Sequence, residues 1–320
     1  MNLSDIYQPV QKDIKKVEQS LEEIADAEFS LLAQLLAYTL KTGGKRVRPA
    51  LTLLSGKFYS YESHLLVPMA AAIELLHTAT LVHDDIVDNS PVRRGKPTVS
   101  RAWGENSALL LGDYLFAKAG SLVAGTGNLR AIKLFSQTLM TISAGELKQT
   151  GVTFDIAKVR EYYLAWISAK TACLFSTSTE SGAILSRAPE EAIQAMRDYG
   201  HNLGMAFQIV DDVLDFIGEE DEMGKPVGSD LREGTLTLPT ILFAESYPED
   251  ELTKNVIGKK DAEGMSQAVE KIRDSRVIAE CLSLASEFCS KARRAAEKLP
   301  DNSARKSLID LADYIIERRK

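Results

Sequence analysis

Two strongly apolar stretches, residues 70–82 and 203–210, each run into the same acidic pattern, D-D-x-x-D. The first cluster is Asp84-Asp85-Ile86-Val87-Asp88 and the second is Asp211-Asp212-Val213-Leu214-Asp215. In an α-helix, residues four apart lie about 40° apart around the axis, so Asp84 and Asp88 share a face, as do Asp211 and Asp215. Helices patterned for burial therefore end in carboxylates. Carboxylates buried together raise one another's pKa, and an unpaired buried charge costs several kcal/mol. A divalent cation removes the conflict. An all-oxygen ligand set suits a hard ion, Mg²⁺ above all, which keeps some waters and takes its other ligands from phosphate oxygens. One such cluster alone reads better as a solvated acidic helix end. Two copies, each closing an apolar helix, argue for a shared metal site.

The rest of the chain is compatible with helices throughout. Apolar residues recur at spacings of three and four, as in Leu31, Leu32, Leu35, Leu36 and Leu40, and alternating strand patterns are nearly absent. Pro68, Pro189 and Pro239 each precede a helical-looking stretch, as does Pro49 after a basic turn. Residues 41–48, 89–98 and 219–237 read as polar, glycine-bearing loops, the third long enough to be a lid. The pattern predicts an all-α protein. A length of 320 residues with no seam predicts one domain over residues 1–320.

Composition narrows the partners. Against 45 Asp and Glu stand 38 Lys and Arg, a net charge of -7, which speaks against nucleic acid as a ligand. No run of about 18 apolar residues is evident, so no membrane span is expected. Residues 1–16 are polar and lack the apolar core of a signal peptide. The expectation is a soluble, cytoplasmic protein whose three cysteines, Cys173, Cys281 and Cys289, are free thiols.

An acidic chain that binds phosphates needs local positive charge, and three places supply it. Gly43-Gly44-Lys45-Arg46-Val47-Arg48-Pro49 carries three cations ahead of a helix, and Arg93-Arg94-Gly95-Lys96 follows the first aspartate cluster. Lys225 follows the second. Each alone reads as a solvated loop, but two sit directly downstream of a metal-type motif. Arg offers phosphate a planar fork and Lys a point charge. Lys170-Thr171 interrupts the apolar stretch 163–175; its lysine either snorkels to water or meets a phosphate. His77 lies two turns before Asp84 on the same face, and Gln208 lies three residues before Asp211. Each is either a satisfied core hydrogen-bonder or part of the site.

Taken together these residues resemble the trans-isoprenyl diphosphate synthase family. The G-G-K-R-x-R-P turn, both D-D-x-x-D clusters, R-R after the first, K-T in mid-chain, Q-x-x-D-D, and G-K-P-x-G-x-D-L occur in family order between Lys41 and Pro239. The C-terminal third is only compatible helical sequence. The resemblance implies a bundle of roughly ten or more antiparallel helices around a deep central cavity. It implies a homodimer, about three Mg²⁺ ions, and two substrates, isopentenyl diphosphate and an allylic diphosphate. Asp84, Asp85 and Asp88 would hold metals on the allylic diphosphate with Arg93. Asp211, Asp212 and Asp215 would hold the third metal, with Lys170, Thr171, Gln208 and Lys225 on the same diphosphate. Lys45, Arg48, His77 and Arg94 would hold isopentenyl diphosphate, assisted by Arg46.

In this family a bulky aromatic five residues before the first aspartate stops chain growth early. Here that position is Ala79, beside Thr80. The resemblance is to long-chain members, so a product longer than geranylgeranyl diphosphate is expected. Thr235 stands where many members carry Lys, one cation fewer over the second diphosphate. Two other readings compete: a class I terpene cyclase, which would not need the separate basic pocket, and a non-catalytic partner subunit, which could afford to lose aspartates.

Overall fold

The computed structural model describes residues 2–26, 30–41, 43–149, 158–218, 227–250 and 262–318. The helices in chain order are α1 (Leu3–Ile6), α2 (Gln11–Ala25), α3 (Ser30–Leu40), α4 (Val47–Gly56), α5 (Ser63–Val87), α6 (Val99–Trp103), α7 (Glu105–Gly125) and α8 (Leu129–Gln149). They continue with α9 (Val159–Ile167), α10 (Cys173–Leu185), α11 (Glu190–Ile217), α12 (Ser229–Glu233), α13 (Leu238–Ser246), α14 (Ala262–Arg273), α15 (Val277–Ala296) and α16 (Ser303–Glu317). Among the described residues the strands are Val92–Arg93 (β1) and Lys96–Pro97 (β2), one antiparallel hairpin. The all-α class expected from the sequence is the class observed.

The centre of the bundle is α5, α10 and α11. Met69, Ala70, Ala71, Ala72, Ile73, Leu75 and Leu76 of α5 are all fully buried, as expected of a helix apolar on every side. α5 packs against α4, α7 and α10, and α11 packs against α10, α15 and α16. Small residues set the spacing. A Cβ on Gly204 of α11 would lie 2.6 Å from the Ala172 Cα, and one on Gly182 of α10 would overlap the Thr52 carbonyl oxygen of α4. These helices touch backbone to backbone, which only glycine permits. On the far side of α11, Cys281, Ala285, Cys289 and Ala292 of α15 are fully buried. All three cysteines are free thiols, as expected.

The structure departs from the sequence reading in three places. Pro68 does not precede its helix but stands inside α5. It removes one donor from the helix ladder, and the burial of Leu66 and Met69 on either side carries the helix through. Of the expected loop 219–237, residues 229–233 are helical; residues 219–226 lie outside the described residues, and with them Lys225. Two helices, α5 and α7, are long and apolar enough to cross a membrane, where none was expected. The window in α5 is 61% buried, so core packing accounts for its composition. α7 exposes Leu109 and Leu110.

Gly182→Ala forces a methyl group into the α4–α10 contact. Overpacking of this kind costs about 1–3 kcal/mol. We expect the variant to unfold at correspondingly lower urea by circular dichroism; an unchanged midpoint would show that α4 and α10 can separate freely.

Candidate active site

A cavity of about 550 Å³ opens between the turn before α4, the C-terminal half of α5, the turn between α9 and α10, and α11. Lys45, Arg46, Arg48, His77, Thr80, Asp84, Arg93, Arg94, Lys170, Thr171, Gln208 and Asp211 all line it. Residues from four distant parts of the sequence thus meet in one place. Six cations stand on the wall against three carboxylates, Glu74, Asp84 and Asp211. In a chain of net charge -7, such a surplus of positive charge marks an anion site.

The backbone accepts strain to put arginines there. Arg46 (φ 49°) and Arg94 (φ 51°) both adopt the left-handed conformation, at a cost of order 1–3 kcal/mol for a residue with a Cβ. Arg94 and Gly95 (φ 73°) form the turn of the β1–β2 hairpin. The Arg94 Nη1 donates to the Gly43 carbonyl at 2.7 Å, tying the hairpin to the glycine turn. Arg46 Nη1 donates to Glu74 Oε1 at 2.7 Å. The Arg48 guanidinium lies 4.7 Å from the Phe175 ring centroid. Burial pulls its pKa down to about 10, although Glu74 opposes the shift. The Nε atoms of Arg46 and Arg48 are buried without a hydrogen-bond partner. His77 faces the same cations. Burial, then Arg48 and Arg94, hold its pKa well below the ordinary range, so it is a neutral donor or acceptor.

The two aspartate clusters are built alike. In the first, Asp84 lines the main cavity and Asp85 an adjoining one of about 110 Å³, while Asp88 is exposed at the end of α5. Asp85 is buried and accepts from Arg93 Nε at 2.7 Å. Burial raises its pKa and Arg93 works against that. In the second cluster only Asp211 lines the main cavity. Asp212 is buried, with Tyr163 Oη donating to it at 2.6 Å and Gln208 Nε2 at 2.8 Å. Burial pushes it up to about 8 in spite of both bonds. Asp215 is buried too and turns away, accepting from Ser229 Oγ at 2.9 Å and the Asp230 N–H at 3.1 Å. It thereby caps α12.

Lys170 and Thr171 sit in a π-helical turn, Ser168–Ala172, inserted between α9 and α10. Such turns reset the register of a helix and frequently accompany functional sites. Here the turn brings Lys170 Nζ to 3.2 Å from Glu146 and 3.5 Å from Asp84. Burial disfavours the ammonium, but Asp84 and Glu146 outweigh it and raise its pKa. Thr171 Oγ1 donates to Gln208 Oε1 at 2.7 Å, so Thr171, Gln208, Asp212 and Tyr163 form one chain of hydrogen bonds.

The sequence analysis did not single out Glu74, Glu146, Tyr163 or Phe207. None carries a local signal: each is one residue on a helix, and its partner lies in another element. Two other residues stand apart from the main cavity. Ala79 is fully buried, with His83 of the next turn packed against Gly112 and Phe116 of α7. Thr235 lines a separate cavity of about 650 Å³ with Tyr162, Tyr163 and Trp166. Among the described residues no three His, Cys, Asp or Glu side chains form a ready-made metal cage. Mg²⁺ does not need one, because it binds through one or two carboxylates plus substrate phosphates. Asp84 and Asp211, oxygens on the wall of a cationic cavity, fit that requirement.

An all-helical fold holding paired acidic motifs against a basic cradle defines an enzyme site for a polyanion and divalent metal. The polyprenyl synthetase family profile matches residues 29–273. Heptaprenyl diphosphate synthase component 2 of Geobacillus stearothermophilus is 37% identical over 322 residues, 99% of each chain. Octaprenyl diphosphate synthase of Escherichia coli is 34% identical over 326 residues, again 99% of each. Among solved structures, a polyprenyl synthase from Caulobacter crescentus complexed with calcium and isoprenyl diphosphate superposes with a TM-score of 0.94 at 34% identity, covering 100% of this chain and 98% of that one. A decaprenyl diphosphate synthase from Rhodobacter capsulatus gives 0.91 at 38% identity, covering both chains in full. The chain belongs to the polyprenyl synthetase family and is a prenyltransferase.

Proposed function

We propose that this protein condenses isopentenyl diphosphate head to tail onto an allylic prenyl diphosphate, making an all-trans polyprenyl diphosphate longer than geranylgeranyl diphosphate. The observation that carries this reading is the make-up of one cavity wall. Two sets of residues line it together: Lys45, Arg46, Arg48 and Arg94, and Lys170, Thr171 and Gln208 with Asp84 and Asp211. Two diphosphates can bind side by side, and a terpene cyclase would need only the second set. The names of similar proteins from several organisms, heptaprenyl, octaprenyl and solanesyl diphosphate synthase, support the long product.

Asp84, Asp88 and Asp211, whose carboxylates face the cavity or solvent, would hold the metals. Asp85, Asp212 and Asp215, buried and bonded inward, would hold the helix ends in place. When bound, Mg²⁺ supplies charge that stabilises the departing allylic diphosphate. Lys170 and Arg93 add fixed positive charge beside that leaving group. The basic set, with neutral His77, would hold isopentenyl diphosphate so that its double bond faces the allylic carbon. The apolar wall at Leu81, Leu174 and Phe207 keeps water from the cation. With Thr235 in place of a lysine, the 233–239 segment contributes no cation to the allylic diphosphate, and binding there rests on Lys170 and the metals.

The exposed Leu109 and Leu110 of α7, with Met140 and Leu147 of α8, form the face through which we propose a homodimer. The free thiols suit a reducing compartment, and we place the protein in the cytoplasm as a single domain. A second reading has its own support. Two relatives are named as one component of a heptaprenyl diphosphate synthase, so this chain would act with a different partner. All six aspartates are present, which favours a catalytic role in either case.

Pure protein incubated with Mg²⁺, isopentenyl diphosphate and a series of allylic primers should make long prenyl diphosphates, lose activity with EDTA, and sediment as two copies. Product appearing only after a second protein is added would favour the two-component reading, and product formed without isopentenyl diphosphate would favour a cyclase. Ala79→Phe, projecting into the seam between α5 and α7, should shorten the product. Unchanged product length by chromatography would remove Ala79 and Thr80 from chain-length control.

A further inference from the structure

The last described residue has no part in the site as derived so far, yet it touches it. Arg318 follows the C-terminus of α16, and its side chain is only 4% exposed. Its Nη2 donates to the Phe207 carbonyl at 2.7 Å and to Asp211 Oδ1 at 3.2 Å. The guanidinium also lies 4.1 Å from the Phe207 ring centroid. A buried guanidinium is expensive unless its contacts are specific, and these two belong to residues flanking Gln208 on the cavity wall. Burial lowers the Arg318 pKa and Asp211 works to restore it. Asp211 itself is 56% exposed, and among the described residues Arg318 is the hydrogen-bond donor to its carboxylate. The contact continues inward: the Phe207 and Phe175 ring centroids are 5.1 Å apart, and Arg48 lies over Phe175.

We propose that Arg318 is a positioning residue for Asp211. It holds Oδ1 from below and leaves Oδ2 to a divalent cation, while the stack on Phe207 fixes the stretch of α11 that carries both Asp211 and Gln208. The proposal rests on the reading above, in which Asp211 holds a metal. Partners that orient a metal-binding side chain typically change metal affinity by about 10-fold to 100-fold when removed. The full chain as wild type, Arg318→Gln and Arg318→Lys would be titrated with Mn²⁺ in the presence of inorganic diphosphate, with free Mn²⁺ followed by electron paramagnetic resonance. Steady-state KM values for isopentenyl diphosphate would be measured alongside.

We expect Arg318→Gln to weaken Mn²⁺ binding about tenfold and to leave the isopentenyl diphosphate KM unchanged. Arg318→Lys should lie between, since an ammonium keeps the charge but cannot hold the Phe207 carbonyl, the ring and Asp211 at once. Wild-type Mn²⁺ affinity in Arg318→Gln would overturn the proposal, as would a rise in the isopentenyl diphosphate KM alone. If Arg318→Gln fails to fold by circular dichroism, Arg318→Lys decides, and wild-type affinity there overturns it. Failure of the wild type to bind Mn²⁺ with diphosphate would instead sink the functional reading beneath it.

Discussion

A carboxylate enters a protein interior only with a donor or cation to meet it, and that constraint organises the middle of this bundle. Asp85 is met by Arg93 from the β1–β2 hairpin, and Asp84 by Lys170 from the π-helical turn. Asp212 is met by Tyr163 of α9, Asp215 by the start of α12, and Asp211 by Arg318 beyond α16. Five separate pieces of chain therefore converge on two helix ends. The glycines of α11, Gly200 and Gly204, serve the same end, because only backbone contact brings α11 close enough for Gln208 to reach Thr171.

Hydrogen bonds satisfy the buried carboxylates of each cluster, and the charge of the wall above them is left unbalanced. The inward carboxylates are matched in place, so their helices can end where they do. The wall above them is over-supplied with cations, several in strained or partly unpartnered positions, such as Arg46 and Arg48. Neither the left-handed backbone of Arg46 nor its unpartnered buried Nε adds to stability. Both become reasonable once a polyanion and its metals complete the set. His77 shows the same logic in reverse. It is surrounded by arginines that keep it neutral, so it adds a hydrogen bond without adding to the repulsion.

How much of this was legible in the sequence follows from what a sequence can encode locally. The helical spacing gave the observed class, and residues from both D-D-x-x-D motifs and from the basic turns at 43–48 and 93–96 meet, because each is a statement about one helix or turn; the turn with Lys225 lies outside the described residues. Twelve of the expected residues line one cavity. What stayed hidden was pairing across helices. Nothing near Tyr163 announces that it bonds Asp212, 49 residues on, and nothing near Arg318 announces Asp211, 107 residues back. The spacing rule also treated each cluster as a set of equivalent carboxylates. It could not tell that Asp215 would turn to cap α12 while Asp211 faced the cavity. Pro68 misled for the opposite reason: a local rule about prolines lost to the packing of the helix around it.

The two clusters differ in how far their supports lie along the chain, and that difference has a consequence. Asp85 finds Arg93 eight residues away, in the hairpin that follows α5, so that part of the first cluster can take shape locally, while Asp84 waits for Lys170. The second cluster leans on more distant pieces of chain. Its carboxylates depend on α9, on α12 and on the end of α16, so it is complete only when the whole bundle has closed around α11. Geometry at Asp211 and Asp212 therefore reports on global packing, whereas geometry at Asp85 reports on a local turn. Loosening of α15 or α16 against α11 would reach Asp211 and Asp212 first and leave Asp85, together with the basic turns beside it, largely as it stands.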